Sequence, residues 1–550
     1  MSKLIEFNQE ARNKLKEGVN KLSKAVVSTL GPFGRNVIIE KNGELPISTK
    51  DGVTVAKSIS LDDPIENIGV EIIKQASIKS AEQAGDGTTT TTLLAAAMIN
   101  DGIKYLDKGI NAIDIKKGID LAMNEVIEFI ASNYIEQISS TEQFQQVATI
   151  SSNNDEKIGK LIATALEEVG KDGLVSIEES RTGDTYLETV MGMKFERGYR
   201  SHHFITNNTE MNAVLENPKI LIYDGNITTA KELLPLLEYV STSPDNNSLL
   251  IIAQDIDQEA LATLIVNKMR GIIKVCAVKA PDFGERRSLF LEDIAVLTGG
   301  VVLSKDKGNR LEKMTAPMVV DSLGSARTIT INKDETVIIE GKGDMAKIEP
   351  RVLDLKSQIE KSLSPFEKEK LQERLANLVS GIALVYVGGN TEIELKEFKD
   401  RVEDALYATK AAISKGIVPG GGVTLLNARK SIIVKDIENS SILLGKQIVY
   451  RALKMPFIQI LENAGVESPE QIMFELLEQN KDNHWIGYNI STKKFVNYKE
   501  AGIIDPYKVI YSALKNAASV VGTFLTTEAV IYNKPTDVKK ESVNNLDMQF

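Results

Sequence analysis

Gly85-Asp86-Gly87-Thr88-Thr89-Thr90-Thr91-Thr92 runs without a break into Leu93-Leu94-Ala95-Ala96-Ala97. Glycine has no Cβ, so two glycines here let the backbone lie close against a ligand. The apolar run that follows suits a core helix. A helix beginning at the threonines aims unpaired N–H groups at whatever precedes it, and the threonine hydroxyls add donors. Phosphate is the matching acceptor, yet Asp86 would repel it unless a divalent cation stood between them. The segment therefore reads as a Mg-nucleotide site. An Asp/Thr cap on an ordinary helix gives the same local pattern.

Outward from this motif the chain changes character. Residues 67–107 read as a long helical stretch interrupted at the glycines. Residues 8–30 set Leu15, Val19, Leu22, Val26 and Leu30 on one helical face. Short β-type runs at 36–40 and 46–49 flank Asn42-Gly43. Between about 190 and 380, strands (219–223, 248–253, 273–278, 301–303) alternate with helices, the pattern of an α/β unit, and long helices return after about 400. The expected fold class is multidomain, α plus α/β: a helical body split around an α/β insertion. Residues 534–550 are polar and read as a loose tail.

Composition narrows the function. With 550 residues and 42% hydrophobic content the chain can bury several cores, about three or four domains by length. Its net charge of −11, without a long basic tract, argues against a nucleic-acid groove, and 5% aromatics against a base-stacking surface. No apolar run reaches the roughly 18 residues of a membrane span, and the first residues, MSKLIEFNQEARNKLKEG, lack the pattern of a secretory signal. An aqueous, cytoplasmic setting is expected. The single cysteine, Cys276, allows no internal disulfide and reads as a buried strand residue.

Other segments share the chemistry of the opening motif. Thr29-Leu30-Gly31-Pro32-Phe33-Gly34-Arg35 ends a helix in a glycine turn, Lys50-Asp51-Gly52 is a second acidic turn, and Val418-Pro419-Gly420-Gly421-Gly422-Val423 is a flexible loop. Asp404 alone reads as an ordinary helix acid. Taken together, GDGTTT (85–90), TLGPFGRNV (29–37), TKDGVTVAK (49–57), KAPDFGERR (279–287), RVEDAL (401–406), PGGGV (419–423) and GIIDPYKV (502–509) resemble, in order, the landmarks of group I (bacterial-type) chaperonins, the GroEL family.

The resemblance implies an ATPase that assists protein folding, with three domains. The equatorial domain would take 1–134 and 417–533, an intermediate hinge domain 135–190 and 382–416, and an apical α/β domain 191–381. It implies ATP, Mg2+ and K+ as cofactors. By resemblance Asp86 holds Mg2+, while Thr29, Leu30, Gly31, Pro32, Lys50, Gly87, Thr88, Thr89 and Thr90 surround the phosphates, with the carbonyls of Thr29 and Lys50 at a potassium site. Asp404 is the catalytic acid with Asp51 beside it, and Gly421, Asn489, Ile490 and Asp505 meet the ribose and base. Two or three carboxylates around Mg-ATP suffice for phosphoryl transfer, which is mostly positioning and charge neutralisation.

The middle section carries more apolar surface than a core stripe needs. Leu233, Leu234, Leu236, Leu237 and Val240 span an arc of about 160°, and the apolar residues of 258–269 span roughly 240°. Burial between layers would account for both. The resemblance instead assigns Tyr199, Ser201, Phe204, Leu234, Leu237, Leu261, Ile265 and Val266 to binding non-native client proteins and a separate co-chaperonin, with His203 in place of an aromatic residue. The adjacent His202 and His203 would point apart on a strand, so no metal other than the nucleotide's is expected, and His484 has no evident partner. Gly192 and Gly381 bracket the section as swivel points, and Arg197 and Glu392 match an inter-subunit ion pair.

A homo-oligomeric ring, sevenfold by resemblance, is the expected assembly. The back-to-back surface departs from the family. Ile458 replaces an arginine that would pair with Glu467, Ser440 replaces an acid, and Lys108 replaces an alanine that meets its own counterpart. Two facing lysines at roughly 4 Å repel by about 4 kcal/mol at an effective dielectric of about 20, so one ring and two rings both stay open. The Gly-Gly-Met tail of many relatives is absent. A passive ring holdase is the rival reading, and a small-molecule phosphotransferase a more distant one that leaves the apolar helices without a role.

Overall fold

The computed structural model describes residues 3–40, 46–138, 140–152, 155–170, 173–180, 183–208, 210–242, 247–362, 364–379, 381–389, 391–433, 439–481 and 483–533. The Asn42-Gly43 connection and the tail 534–550 lie outside them. The chain divides into two compact units: residues 1–164, 181–183 and 387–550 form one, and residues 165–180 and 184–386 the other. The segments expected as an intermediate domain are shared between the two.

The first unit is helical and closes on itself through the chain ends. Strand Lys3–Phe7 pairs antiparallel with Ala529–Asn533. Helix Asn8–Val27 buries Leu15, Val19, Leu22 and Val26 as the periodicity requires, and stops before Leu30, which enters the glycine turn. Helix Pro64–Ala84 starts where Asp63 accepts N–H bonds from Ile65 and Glu66 and where proline already holds the first-turn φ. It ends at Gly85, whose φ of 78° is the left-handed conformation that stops helices. Helix Thr88–Leu106 follows after the three residues Gly85-Asp86-Gly87, and Tyr507–Leu525 packs against both helices. Ala112–Asn133 packs against Ser440–Ala452, and Glu392–Lys415 against Thr141–Ser151.

The second unit is built on a mixed sheet. Its strand order is Lys274–Lys279, Ser248–Ile256, Lys219–Ile227, Gly324–Ile331, Thr336–Gly341, Gly192–Phe195, with the first three parallel. Parallel strands need crossovers, supplied by helices Ala230–Thr242 and Gln258–Met269. Runs such as Leu249, Leu250, Ile251, Ile252 and Ala253 are buried on both faces, and Cys276 sits among them with its thiol pushed up to about 12 by burial. A second cohesive element is ionic: Asp293, 1% exposed, accepts from Arg374 at 2.7 and 2.9 Å and from Arg351 at 2.8 Å. With both oxygens engaged, the desolvated carboxylate is compensated. Gly192 and Gly381 both lie in this unit at close approaches: a Cβ on Gly192 would stand 2.6 Å from the Ile338 carbonyl oxygen, and one on Gly381 2.6 Å from Thr189 Cγ2.

Candidate functional site

The helical unit holds a cavity of about 450 Å3 to which Thr29, Leu30, Gly31, Pro32, Lys50, Asp51, Asp86, Gly87, Thr89, Thr90, Asp404, Gly421, Asn489, Ile490 and Asp505 all contribute. Segments hundreds of residues apart in sequence thus meet in one place. Gly87 makes this possible on one wall: its φ of 96° lets helix Thr88–Leu106 begin immediately after Asp86. The N–H groups of Thr88, Thr89 and Thr90 precede the first intrahelical bond, Thr91 N–H to Gly87 O at 2.9 Å, and no side chain caps them. They form an anion cradle with the positive end of the helix dipole behind it.

The threonines divide their work. Thr89 and Thr90 line the cavity, whereas Thr88, Thr91 and Thr92 are buried against helix Pro64–Ala84. Thr92 Oγ1 lies 2.7 Å from Ser77 Oγ, and Thr91 Oγ1 2.8 Å from Ser80 Oγ. Of the expected phosphate group, Thr88 therefore offers its backbone N–H and not its hydroxyl. Asp51 accepts from the N–H groups of Val53 and Thr54 at 2.9 and 2.7 Å, capping helix Gly52–Ser58 with both oxygens. Asp86 Oδ1 accepts from Gly87 N–H at 2.5 Å. On the opposite wall the hairpin Ile486–Asn489/Lys494–Asn497 turns on Asn489, whose Oδ1 accepts from Ser491 and Thr492. Tyr498 donates to Tyr488 O at 2.8 Å and supports Gly421.

Electrostatics identify what the cavity lacks. Burial pushes the Asp505 carboxyl up to about 7, with Asp86 adding to the rise. Asp404 is raised well above the carboxylate range by burial, then by Asp86, Asp51 and Asp400. Asp86 is raised by the protein around it and by Asp51, although its side chain is open to the cavity. Carboxylates that hold one another's pKa up are stabilised by a cation. Among the described residues no three of them form a ready-made metal cage. That suits Mg2+, which is usually held by one or two carboxylates with phosphate and water completing the shell. Donor set, cradle and volume together fit a Mg-nucleotide.

Residues 22–535 match the model of the TCP-1/cpn60 chaperonin family. The chain belongs to this family. It is also similar to the crystal structure of the chaperonin gp146 from the bacteriophage EL 2 (Pseudomonas aeruginosa), obtained in presence of ATP-BeFx. The TM-score is 0.67 at 23% identity, over 97% of this chain and 100% of that one. At that identity the likeness establishes the fold.

One acid of the chaperonin cavity was not evident beforehand. Asp400 stands four residues before Asp404 on helix Glu392–Lys415 and lines the same wall, its own carboxyl raised by burial and by Asp51. The i, i+4 spacing was the available signal.

In the α/β unit, helices Ala230–Thr242 and Gln258–Met269 pack side by side. Leu234 is 49% exposed and Val266 44%, with Leu261 and Ile265 partly buried beneath them. Of the first arc only Leu234 faces outward, because Leu233, Leu236 and Val240 are buried with the core; on the second helix Val266 and Met269 do. Leu237 and Phe204 do not join them: Leu237 is buried, and Phe204, 0% exposed, is a core residue that no client could touch in this conformation. Tyr199 packs partly against the core and Ser201 Oγ accepts from His203 N–H. His202 and His203 sit on the 3-10 turn His202–Phe204 rather than on a strand, because Ser201 caps it and Lys268 Nζ donates to the carbonyls of His203 and Ile205. His202 Nδ1 lies 3.2 Å from Tyr199 OH.

Two further expectations need revision. His484 has a partner after all, stacking on Tyr134 at 4.5 Å. Ile458 is 5% exposed and packs with Phe457 and Leu461 inside the chain's own core, so the loss of an arginine there is answered by core packing. Lys108 Nζ stands 6.0 Å from the Tyr105 ring, and Arg197 lies 5.9 Å from the Phe283 ring.

Proposed function

We propose that this chain is an ATP-driven chaperonin subunit of the bacterial (group I) type, which binds non-native proteins on its apolar α/β face and assists their folding inside a homo-oligomeric ring. One observation carries the reading: Asp86, Asp404 and Asp505 converge with an uncapped helix N-terminus on a single cavity. Mg-ATP, when bound, supplies the transferable phosphoryl group and the positive charge the carboxylates lack. Asp86 would hold Mg2+; the N–H groups of Thr88 to Thr90 and the hydroxyls of Thr89 and Thr90 would donate to phosphate. Asp404 orients the attacking water and accepts its proton, a task its raised pKa suits once a cation keeps it ionised. Asp51, committed to its helix cap, fixes the Gly52 turn and contributes charge. The carbonyls of Thr29 and Lys50 would serve K+, and Gly421, Asn489, Ile490 and Asp505, which line the same cavity, would hold the nucleoside.

The reading extends to three domains, a sevenfold ring, a separate co-chaperonin and a cytoplasmic location, supported by the motif order in the sequence. The exposed pair Leu234 and Val266 supports the client face. Refolding of a denatured client tests the proposal. Yield is expected to rise with Mg-ATP and to fall to the level of spontaneous refolding with Asp404→Ala. Equal yields with and without ATP would leave a passive holdase.

A further inference from the structure

We infer that the helical unit carries a second ligand site, a lysine-lined concavity that takes a phosphate chain. It encloses about 300 Å3 and is bordered by Lys79, Lys415, Lys508, Lys515 and Tyr511. The chain as a whole carries a net charge of −11, yet among the described residues no carboxylate borders this concavity. Among the described residues none of the four lysines has an acidic partner, while lysines elsewhere on the unit, such as Lys74, Lys116 and Lys446, do. Two of the ammonium groups converge on one ring: Lys415 Nζ stands 4.7 Å and Lys515 Nζ 5.6 Å from the centroid of Tyr511. Tyr511 OH lies 3.4 Å from Lys515 Nζ, and the buried hydroxyl of Ser512 opens on the same space.

Four unneutralised cations around one hollow repel one another, and a multivalent anion relieves all of them at once. The volume is at the small end of ligand sites, which suits a linear di- or triphosphate. Lysine binds phosphate as a point charge, so the site demands charge and length rather than a particular head group.

The three helices that carry the lysines also serve the nucleotide cavity. Pro64–Ala84, with Lys79, ends one residue before Gly85-Asp86. Glu392–Lys415 bears Asp404 and closes with Lys415. Tyr507–Leu525 begins two residues after Asp505; Val509 and Ile510 face the nucleotide cavity, Lys508 and Tyr511 the lysine one. A phosphate chain that draws the lysines together shifts these helix ends, so its binding and nucleotide binding are coupled, each changing the other's affinity by the same factor. The coupling rests on the nucleotide reading above; the binding itself does not.

The test is calorimetric titration of tripolyphosphate into the full-length protein with Mg-ADP present in excess. One tripolyphosphate per chain is expected, weakened at least tenfold in Lys415→Gln/Lys515→Gln and in the independent pair Lys79→Gln/Lys508→Gln. ADP affinity is expected to change at least twofold with tripolyphosphate in the wild type and in neither pair. ATP filling a second equivalent that both pairs remove would make the occupant a nucleotide's own phosphate chain; tripolyphosphate alone doing so would make it a free one. A tripolyphosphate isotherm that is absent, or unchanged by both pairs, overturns the site. Unchanged ADP affinity in the wild type overturns the coupling.

Discussion

Asp400 and Asp404 stand one turn apart on helix Glu392–Lys415 and face the cavity that Asp86 enters from the other side of the sequence. Asp400 is one of the charges that raise Asp404, after burial, Asp86 and Asp51. Asp400→Asn removes that charge, so Asp404 ionises more readily. The acid limb of the pH profile of ATP hydrolysis is expected to move to lower pH, with nucleotide affinity little changed. Turnover measured against pH for both proteins checks this.

Asp505 opposes folding at neutral pH in the nucleotide-free chain. Its carboxyl titrates at about 7 when folded, against an ordinary value of 3.8. Between these values the folded chain retains a proton that the unfolded chain has released, so stability falls as pH rises through the window. Asp505→Asn cannot ionise. Its stability advantage over wild type is expected to be absent near pH 4 and to reach on the order of 2–4 kcal/mol above pH 7. Thermal denaturation at pH 4, 6 and 8 reads it.

Gly87 holds a φ of 96°, and a Cβ there would lie 3.1 Å from Val509 Cγ1. Gly87→Ala is expected to cost about 1–2 kcal/mol of stability and to weaken nucleotide binding at least tenfold, because the cradle moves with the helix start. Denaturant melts and nucleotide titration separate the two effects.

The proposed client face and the core beneath it separate by substitution. Leu234→Ser and Val266→Ser alter exposed side chains and are expected to reduce capture of a denatured protein several-fold with stability within about 0.5 kcal/mol of wild type. Phe204→Ala empties a core position and is expected to cost about 3–5 kcal/mol. Chaperone-capture assays beside thermal melts check both.

Much of the proposed nucleotide cavity was legible because its residues sit in short local motifs, which the fold brings to one place. Gly85, Gly87 and Asp86 announce a helix start near an anion whatever surrounds them, and nothing about that reading depends on packing. Thr88, by contrast, differs from Thr89 only by rotation about the helix, and Ser77 on a neighbouring helix decides which way it turns. Asp400 belongs to no motif, and only its one-turn register with Asp404 places it on the same wall. Phe204 and Ile458 were misplaced for a common reason: exposure is set by what packs above a residue, and a motif position carries no information about that. The strand expected at His202-His203 gave way to a turn stabilised by Lys268, 65 residues away.

The most direct measurement is steady-state ATP hydrolysis by the wild type and by Asp404→Ala, each with nucleotide affinity measured on the same preparation. The expected result is Mg2+-dependent hydrolysis by the wild type, and a loss of at least a hundredfold in turnover in the variant with nucleotide affinity retained. Hydrolysis by Asp404→Ala at the wild-type rate, or no nucleotide binding by either protein, would contradict the account.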